Sequence, residues 1–285
     1  MLHKPSMKLS IIILNYNVTQ LLRNCLQSIE RYVFDIDYEV IVIDNQSPDD
    51  SWKELITEFP AVKFIENTAN EGFAKANNKA AKLASGEFIL LLNPDTELEG
   101  DYMKEIIEFA DAQSNFGCLG VRLHDLEGNF LPESKRSVPN VLNSFEKLFS
   151  PFTSKKSFKK GYYRNDLSEN DIAQVEVITG AFLLIKRKLY LEIGGLDETY
   201  FMYGEDIDLC YTLLRKGYKN WYFGKHSVLH IKGESTIKDT KYLKNFYGAM
   251  LIFIEKYYKN QSPIQYQFLK LGLKIRHFIA RLQLK

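Results

Sequence analysis

Two stretches put carboxylates where carboxylates can do chemistry. Residues 88–98 read FILLLNPDTEL, an apolar run that ends at Asn93-Pro94-Asp95. Pro94 has no N–H to extend a ladder and biases Asn93 towards extended backbone, so Asp95 is delivered just past the end of a core strand. A turn accounts for such a residue, and so does a ligand site. Residues 200–217, YFMYGEDIDLCYTLLRKG, place Glu205, Asp206 and Asp208 at the start of a helix that Gly217 stops. Acidic residues suit a helix N-terminus through capping and the dipole. Three within four positions also repel one another, and the apolar, glycine-ended Tyr-Phe-Met-Tyr-Gly before them suits a pocket wall. A carboxylate there can serve as a general base.

The segments that must position these groups alternate in type. Residues 10–14 (SIIIL) read as a strand buried on both faces, and 19–31 as a helix with Leu21, Leu22, Cys25, Leu26 and Ile29 at helical spacing. Strands follow at 38–44, 62–66 and 87–92, separated by helices over 52–59 and 73–84. This predicts a parallel sheet covered by helices on both faces, with ligands bound outside the carboxyl ends of its strands. Three polar groups fall at those ends: Asn15-Tyr16-Asn17, Asp44 and Asn93-Pro94-Asp95. There is no glycine-rich dinucleotide fingerprint after the first strand and no GxxxxGK[ST], which weakens dehydrogenase and P-loop readings. Beyond a helix over 101–113 come a strand at 118–123 and a Ser-, Lys-, Tyr- and Asn-rich stretch, 129–171, in which 153–165 reads as a mobile loop. A strand over 175–186 interrupted by Gly180, a helix near 187–193 and a strand region over 221–230 complete the pattern.

The chain has 285 residues, 45% hydrophobic and 26% charged, enough for one sizeable core. Three scattered cysteines fit a reduced, cytoplasmic setting. The five-residue apolar stretch near the start is too short for a signal peptide, and no window approaches the roughly 20 apolar residues of a membrane span. Charge is unevenly spread. Residues 238–285 hold ten Lys/Arg against Asp239 and Glu255, a net +8 that leaves −7 for the rest. Apolar residues recur there at helical spacing, which suits either a helix packed on the domain or an interfacial helix on anionic lipid. No motif for nucleic acid accompanies the charge.

LSIIILNYN, IVIDNQS, the run from Asn70 to Leu98, the run from Val177 to Cys210, and VLHIKGES occur in this order over about residues 8–235. Together they resemble the family 2 inverting glycosyltransferases, in particular a bacterial rhamnosyltransferase-like branch. The resemblance implies a glycosyltransferase-A fold: a catalytic domain over 1–236, with a nucleotide-sugar half (8–100) and an acceptor half (101–236); the charge and spacing beyond it make 237–285 a basic helical tail. It implies a dTDP- or UDP-sugar donor, a saccharide or lipid-diphosphate-linked acceptor, and a divalent metal, Mg²⁺ or Mn²⁺.

By the same resemblance Tyr16 stacks on the base and Asp44 accepts from a pyrimidine N–H. Gly72 and Asn78 face the donor, Asp95 and His230 bind the metal, and Asp206 is the catalytic base. Glu205 and Gly180 then lie on the acceptor side. Asn93 stands where the metal motif has its first Asp, which leaves Asn93 a neutral donor-side contributor. Thr212 stands where this branch often has Arg, so a diphosphate or acceptor contact there is lost. A peripheral position at the inner face of the cell membrane follows from the acceptor class and the tail. The alternatives are a non-catalytic sugar-nucleotide or glycan-binding protein and a nucleotidyltransferase.

Overall fold

A computed structural model describes residues 7–139, 161–231 and 239–284. Leu9–Asn15 (β1) is buried along its whole length, as a strand must be when both faces of its sheet are covered. Tyr38–Asp44 (β2) and Phe88–Leu92 (β4) flank it, both parallel, and Lys63–Glu66 (β3) lies parallel beyond β2. Thr19–Tyr32 (α1), Glu54–Glu58 (α2) and Phe73–Leu83 (α3) make the crossovers. In α1 the buried residues include Leu22, Cys25, Leu26 and Ile29, the face its spacing predicts. Small Ala74, Ala80 and Ala81 line the buried face of α3 and let it lie close to the sheet. Asn15 pairs in register with Asp44, so the tips of β1 and β2 end level.

Beyond β4 the sheet changes character. Its order is β3-β2-β1-β4, then Phe182–Lys186 (β8), Phe116–His124 (β6), Lys219–His230 (β9) and Thr96–Leu98 (β5), with Ile172–Val175 (β7) also on β9. β8 runs antiparallel to β4, and β6 antiparallel to β8. β9 is parallel to β6, whereas β5 and β7 are antiparallel to β9. The expected parallel arrangement therefore holds for β1–β4, and the second half mixes directions. No strand-helix-strand crossover leads from β4 to β8, because Met103–Ala112 (α4), β6 and β7 intervene; parallel entry is not imposed. The one strand expected over 175–186 is two, β7 and β8, parted around Gly180. Of the stretch expected to be a mobile loop, residues 153–160 lie outside the described residues.

Arg187–Glu192 (α5), Glu205–Arg215 (α6), Thr240–Tyr258 (α7) and Pro263–Gln283 (α8) complete the order. α7 packs against α6: Phe253, Ile254 and Tyr257 share a core with Ile207 and Leu213 of α6. Three polar contacts fasten it there. Thr212 Oγ1 lies 3.1 Å from the Tyr257 hydroxyl, so the position where Arg was expected serves helix docking. Lys256 Nζ donates to Asp208 at 2.9 Å and to Asp197 at 2.6 Å. Burial opposes the ammonium's charge, but these two carboxylates outweigh it and raise its pKa.

Asp208 is buried whereas Lys256 is partly open, so breaking the pair strands a carboxylate at a cost that solvent only partly screens. Lys256→Met should lower unfolding free energy by about 2 kcal/mol in urea titrations. Adding Asp208→Asn in that background should restore part of it.

Candidate active site

The carboxyl ends of β1 and β2 form one wall. Asp44 is 1% exposed. Its Oδ1 accepts from Asn15 Nδ2 at 2.8 Å and from Ser47 Oγ at 2.6 Å, and its Oδ2 accepts from the Ser47 N–H at 2.9 Å. The carboxylate thus holds the turn after β2 and orients Asn15, whose buried Oδ1 has no hydrogen-bond partner among the described residues. Tyr16 follows directly and is 44% exposed, an open aromatic face beside these polar tips. Asn45 ties the wall to α3: its Oδ1 accepts from Asn67 Nδ2 and the Glu71 N–H, and its Nδ2 donates to Asn70 Oδ1. Gly72, at φ +80°, lets the segment before α6 cross the start of α3, because a Cβ there would collide with the Phe201 carbonyl and ring. The Phe73 N–H donates to that carbonyl at 2.7 Å.

The tip of β4 forms the floor. Asn93 contributes through its backbone: its N–H donates to the Ala181 carbonyl at 3.0 Å, and its carbonyl accepts from Thr96 Oγ1 at 2.6 Å. The β5–β9 pairing sets Thr96 opposite His230, and the Ile231 N–H donates to the Asp95 carbonyl at 2.8 Å. His230 Nε2 therefore lies 3.4 Å from Asp95 Oδ1, both side chains almost fully buried. His230 Nδ1 is buried without a hydrogen-bond partner among the described residues. A carboxylate and an imidazole with a spare nitrogen are an oxygen-and-nitrogen pair able to ligate a divalent cation. Among the described residues no group of three or more His, Cys, Asp and Glu converges that could hold a metal ion. A cation here would depend on oxygens from a substrate or water.

The acidic helix start supplies a further side, and its three carboxylates have separate surroundings. Asp208 goes to Lys256 and to the Tyr200 hydroxyl at 3.2 Å. Asp206 Oδ2 accepts from Arg136 Nη2 at 2.5 Å and from the Gly180 N–H at 3.2 Å, while its Oδ1 accepts from the Ile207 N–H at 2.8 Å. Glu205 is buried and makes no ion pair among the described residues; burial first, then the neighbouring Asp206 charge, push its pKa up to about 8 against a smaller opposing pull from Arg136. Its Oε2, like Arg136 Nε, has no hydrogen-bond partner among the described residues. Buried polar atoms without partners are few in native proteins. Four of those among the described residues belong to Asn15, His230, Glu205 and Arg136, on or against these three elements.

Residues 180 and 181 join the floor to that side. Ala181 accepts from the Asn93 N–H, and Gly180 donates to Asp206. A Cβ on Gly180 would meet nothing closer than Asp206 Cβ at 3.6 Å, so the glycine leaves a methyl-sized gap beside the carboxylate.

Asn78 does something other than face a donor. Its Oδ1 accepts from the Tyr190 hydroxyl at 2.6 Å and the Leu196 N–H at 2.9 Å. Its Nδ2 donates to the Leu196 carbonyl at 2.8 Å and to Glu198 at 3.0 Å. All four of its hydrogen-bonding positions are satisfied within the chain, and the side chain clamps the 194–198 turn onto α3.

Arg136 escaped the sequence reading. It sits in a stretch with no periodicity and reaches Asp206 because its backbone bridges Val177 and its Nη2 donates to the Ile178 carbonyl at 2.8 Å. Burial disfavours its charge, yet Asp206 more than compensates and raises its pKa. Its only sequence signal is a Lys-Arg pair, Lys135-Arg136, between serines. Lys232, Gly233 and Ser235 of the VLHIKGES stretch lie outside the described residues.

Comparison with known proteins matches residues 10–194 to a family model described as "Glycosyl transferase family 2". The chain is 26% identical over 261 residues to an N-acetylglucosaminyl-diphospho-decaprenol L-rhamnosyltransferase of Mycobacterium tuberculosis, covering 86% of this chain and 84% of that one. It is 26% identical over 229 residues to rhamnosyltransferase WbbL of Escherichia coli K12, covering 77% and 82%. Among solved structures, GalNAc-T7 with UDP, GalNAc and Mn²⁺ superposes with a TM-score of 0.63 at 16% identity, over 94% of this chain and 55% of that one. S. aureus TarS residues 1–349 with UDP does so with a TM-score of 0.58 at 18% identity, over 94% and 70%. These two likenesses concern the fold, of the glycosyltransferase-A kind.

Two outcomes test the site's internal physics. Glu205 binds its proton in the folded state up to about pH 8 but loses it near 4.5 when unfolded. Across that window the folded chain holds more protons, so this carboxyl's contribution to stability falls as pH rises. Glu205→Gln should therefore lose less stability between pH 5 and pH 8 than the parent, measured by urea midpoints. Asn78→Ala should cost about 3 kcal/mol, from stranding its three buried partners, the Tyr190 hydroxyl and the Leu196 N–H and carbonyl, at roughly 1 kcal/mol each, in the same titration.

Proposed function

The chain belongs to glycosyl transferase family 2, and we propose that it transfers a sugar from a nucleoside-diphosphate donor to an acceptor hydroxyl, inverting the anomeric carbon. The observation that carries this reading is the junction of residues 180 and 181, which joins Asp206 to the β4 tip that bears Asp95. A proton acceptor and a diphosphate-side carboxylate then serve one bound substrate pair.

In this mechanism the acceptor hydroxyl enters the gap beside Gly180 and gives its proton to Asp206 as it attacks from the face opposite the diphosphate. Arg136 and the Gly180 N–H fix the orientation of the Asp206 carboxylate, so the base is aimed before the substrate arrives. Glu205, protonated at neutral pH, can donate a hydrogen bond to the acceptor. On the donor side Tyr16 stacks on the base, and Asp44 with the unpartnered Oδ1 of Asn15 accepts from it. Asp95 and His230 would hold a divalent cation, Mg²⁺ or Mn²⁺, whose chemistry is to offset charge on the departing diphosphate.

The donor is a dTDP- or UDP-sugar. Rhamnose is favoured by the names of the M. tuberculosis and E. coli relatives, and UDP by the two solved neighbours. A lipid-diphosphate-linked saccharide is the favoured acceptor because the M. tuberculosis relative is named for one. Work on such an acceptor in surface polysaccharide or glycolipid assembly would place the protein at the inner face of a membrane.

A panel of nucleotide sugars with lipid-diphosphate acceptors, with and without chelator, tests the reading. One donor should turn over, and chelator should suppress it. Asp206→Asn should lower turnover at least about 100-fold while donor affinity by calorimetry stays within about twofold; normal turnover would remove Asp206 as the base. Asp95→Asn should weaken Mn²⁺-dependent binding of the nucleoside diphosphate, seen by the same calorimetry without any acceptor.

A further inference from the structure

α8 has two apolar faces and uses one of them inside the chain. Tyr266 and Leu269 are buried, Leu273 packs on the α6–α7 core, and the Tyr266 hydroxyl donates to Glu255 of α7 at 3.0 Å. On the other face Ile264, Phe268, Leu271, Ile275, Phe278 and Leu282 follow one another at steps of four and three residues, each 49–74% exposed. Such spacing keeps all six on a single stripe along a helix about 30 Å long. Large apolar side chains this contiguous and this open mark a surface that meets something other than water.

The charges beside the stripe indicate what. Lys270, Lys274 and Arg281 line one shoulder, Arg276 stands on the other, and no Asp or Glu occurs anywhere in residues 263–284. No described helix is long and apolar enough to cross a membrane, and a helix with this division of faces lies along an interface instead.

We propose that the open face of α8 docks on an anionic lipid bilayer. The six apolar side chains enter the boundary between headgroups and acyl chains, and the flanking Lys and Arg meet lipid phosphates. A second copy of this chain is a poorer occupant, because pairing two stripes would set acid-free, like-charged helices side by side. The packing and lipid alternatives offered by the sequence are therefore both used, on opposite faces of one helix. The docking also has a route to the chemistry: α8 packs on α7, and α7 carries Lys256 to Asp208, two positions from Asp206. Docking deepens the lipid-linked acceptor reading without resting on it.

The full chain is tested for co-sedimentation with phosphatidylglycerol-containing and pure phosphatidylcholine vesicles, alongside gel filtration. The parent should bind the anionic vesicles, more weakly as salt rises. Phe268→Ser/Leu271→Ser/Phe278→Ser should bind at least tenfold more weakly, with unchanged circular dichroism. Lys274→Glu/Arg281→Glu, which leaves the stripe intact, should also bind more weakly and lose the salt dependence. Equal binding by the parent and the apolar variant overturns the proposal, as does a parent that ignores anionic vesicles. A parent dimer that the apolar variant splits, without vesicle binding, assigns the face to a second copy and overturns it too. Vesicle binding through α8 by a protein that turns over no nucleotide sugar would keep this surface and refute the proposed activity instead.

Discussion

The antiparallel pairing of β4 with β8 is the contact on which the rest depends. It joins a parallel half, which ends in polar strand tips, to a mixed half, which carries the acidic helix. Both strands are almost wholly apolar and buried, so their register is set by two covered faces and a one-residue slip would misplace every side chain. The hydrogen bond from Asn93 to Ala181 carries the pairing one step past the end of β4. From there Asp95 follows the end of one strand while Gly180 meets Asp206 beside the other. Groups 85 residues apart in sequence at their nearest become parts of one site because two core strands agree on where to stop.

Charge management around that junction is unequal. Asp206 and Asp208 have Arg136 and Lys256 as their cations. Glu205 makes no ion pair among the described residues, and its high pKa follows from burial and the Asp206 charge, which outweigh the opposing charge of Arg136. Buried ions without partners are strongly disfavoured, so a neutral Glu205 resolves the crowding that the sequence implies. Buried side-chain atoms without hydrogen-bond partners among the described residues occur on Asn15, His230, Glu205 and Arg136, a departure from full satisfaction of the kind expected where stability yields to function.

Much of the parallel half was legible because β1, β2 and β4 are continuous apolar runs ended by polar residues. Asp44 and Asp95 are visible as interruptions. The direction of β6, β8 and β9 was not, since a short apolar run carries no sign of its neighbour's direction. Asn78 shows another limit: its place on α3 is clear from spacing, but its amide turns to the 194–198 backbone rather than to a donor. Arg136 is positioned by a bridge to Val177, a partner 41 residues away, and nothing local to either residue announces it. The amphipathic character of α8 was readable from its periodicity. Which of its faces stays open depends on where α7 lies, and that is a tertiary fact.

The central claim, a base on the face opposite the departing diphosphate, is most directly tested by the stereochemistry of the product. The donor that turns over should be followed by proton NMR of the anomeric signal in the earliest glycoside formed. The account predicts an anomeric configuration opposite to that of the donor. A product that retains the donor's configuration would contradict it.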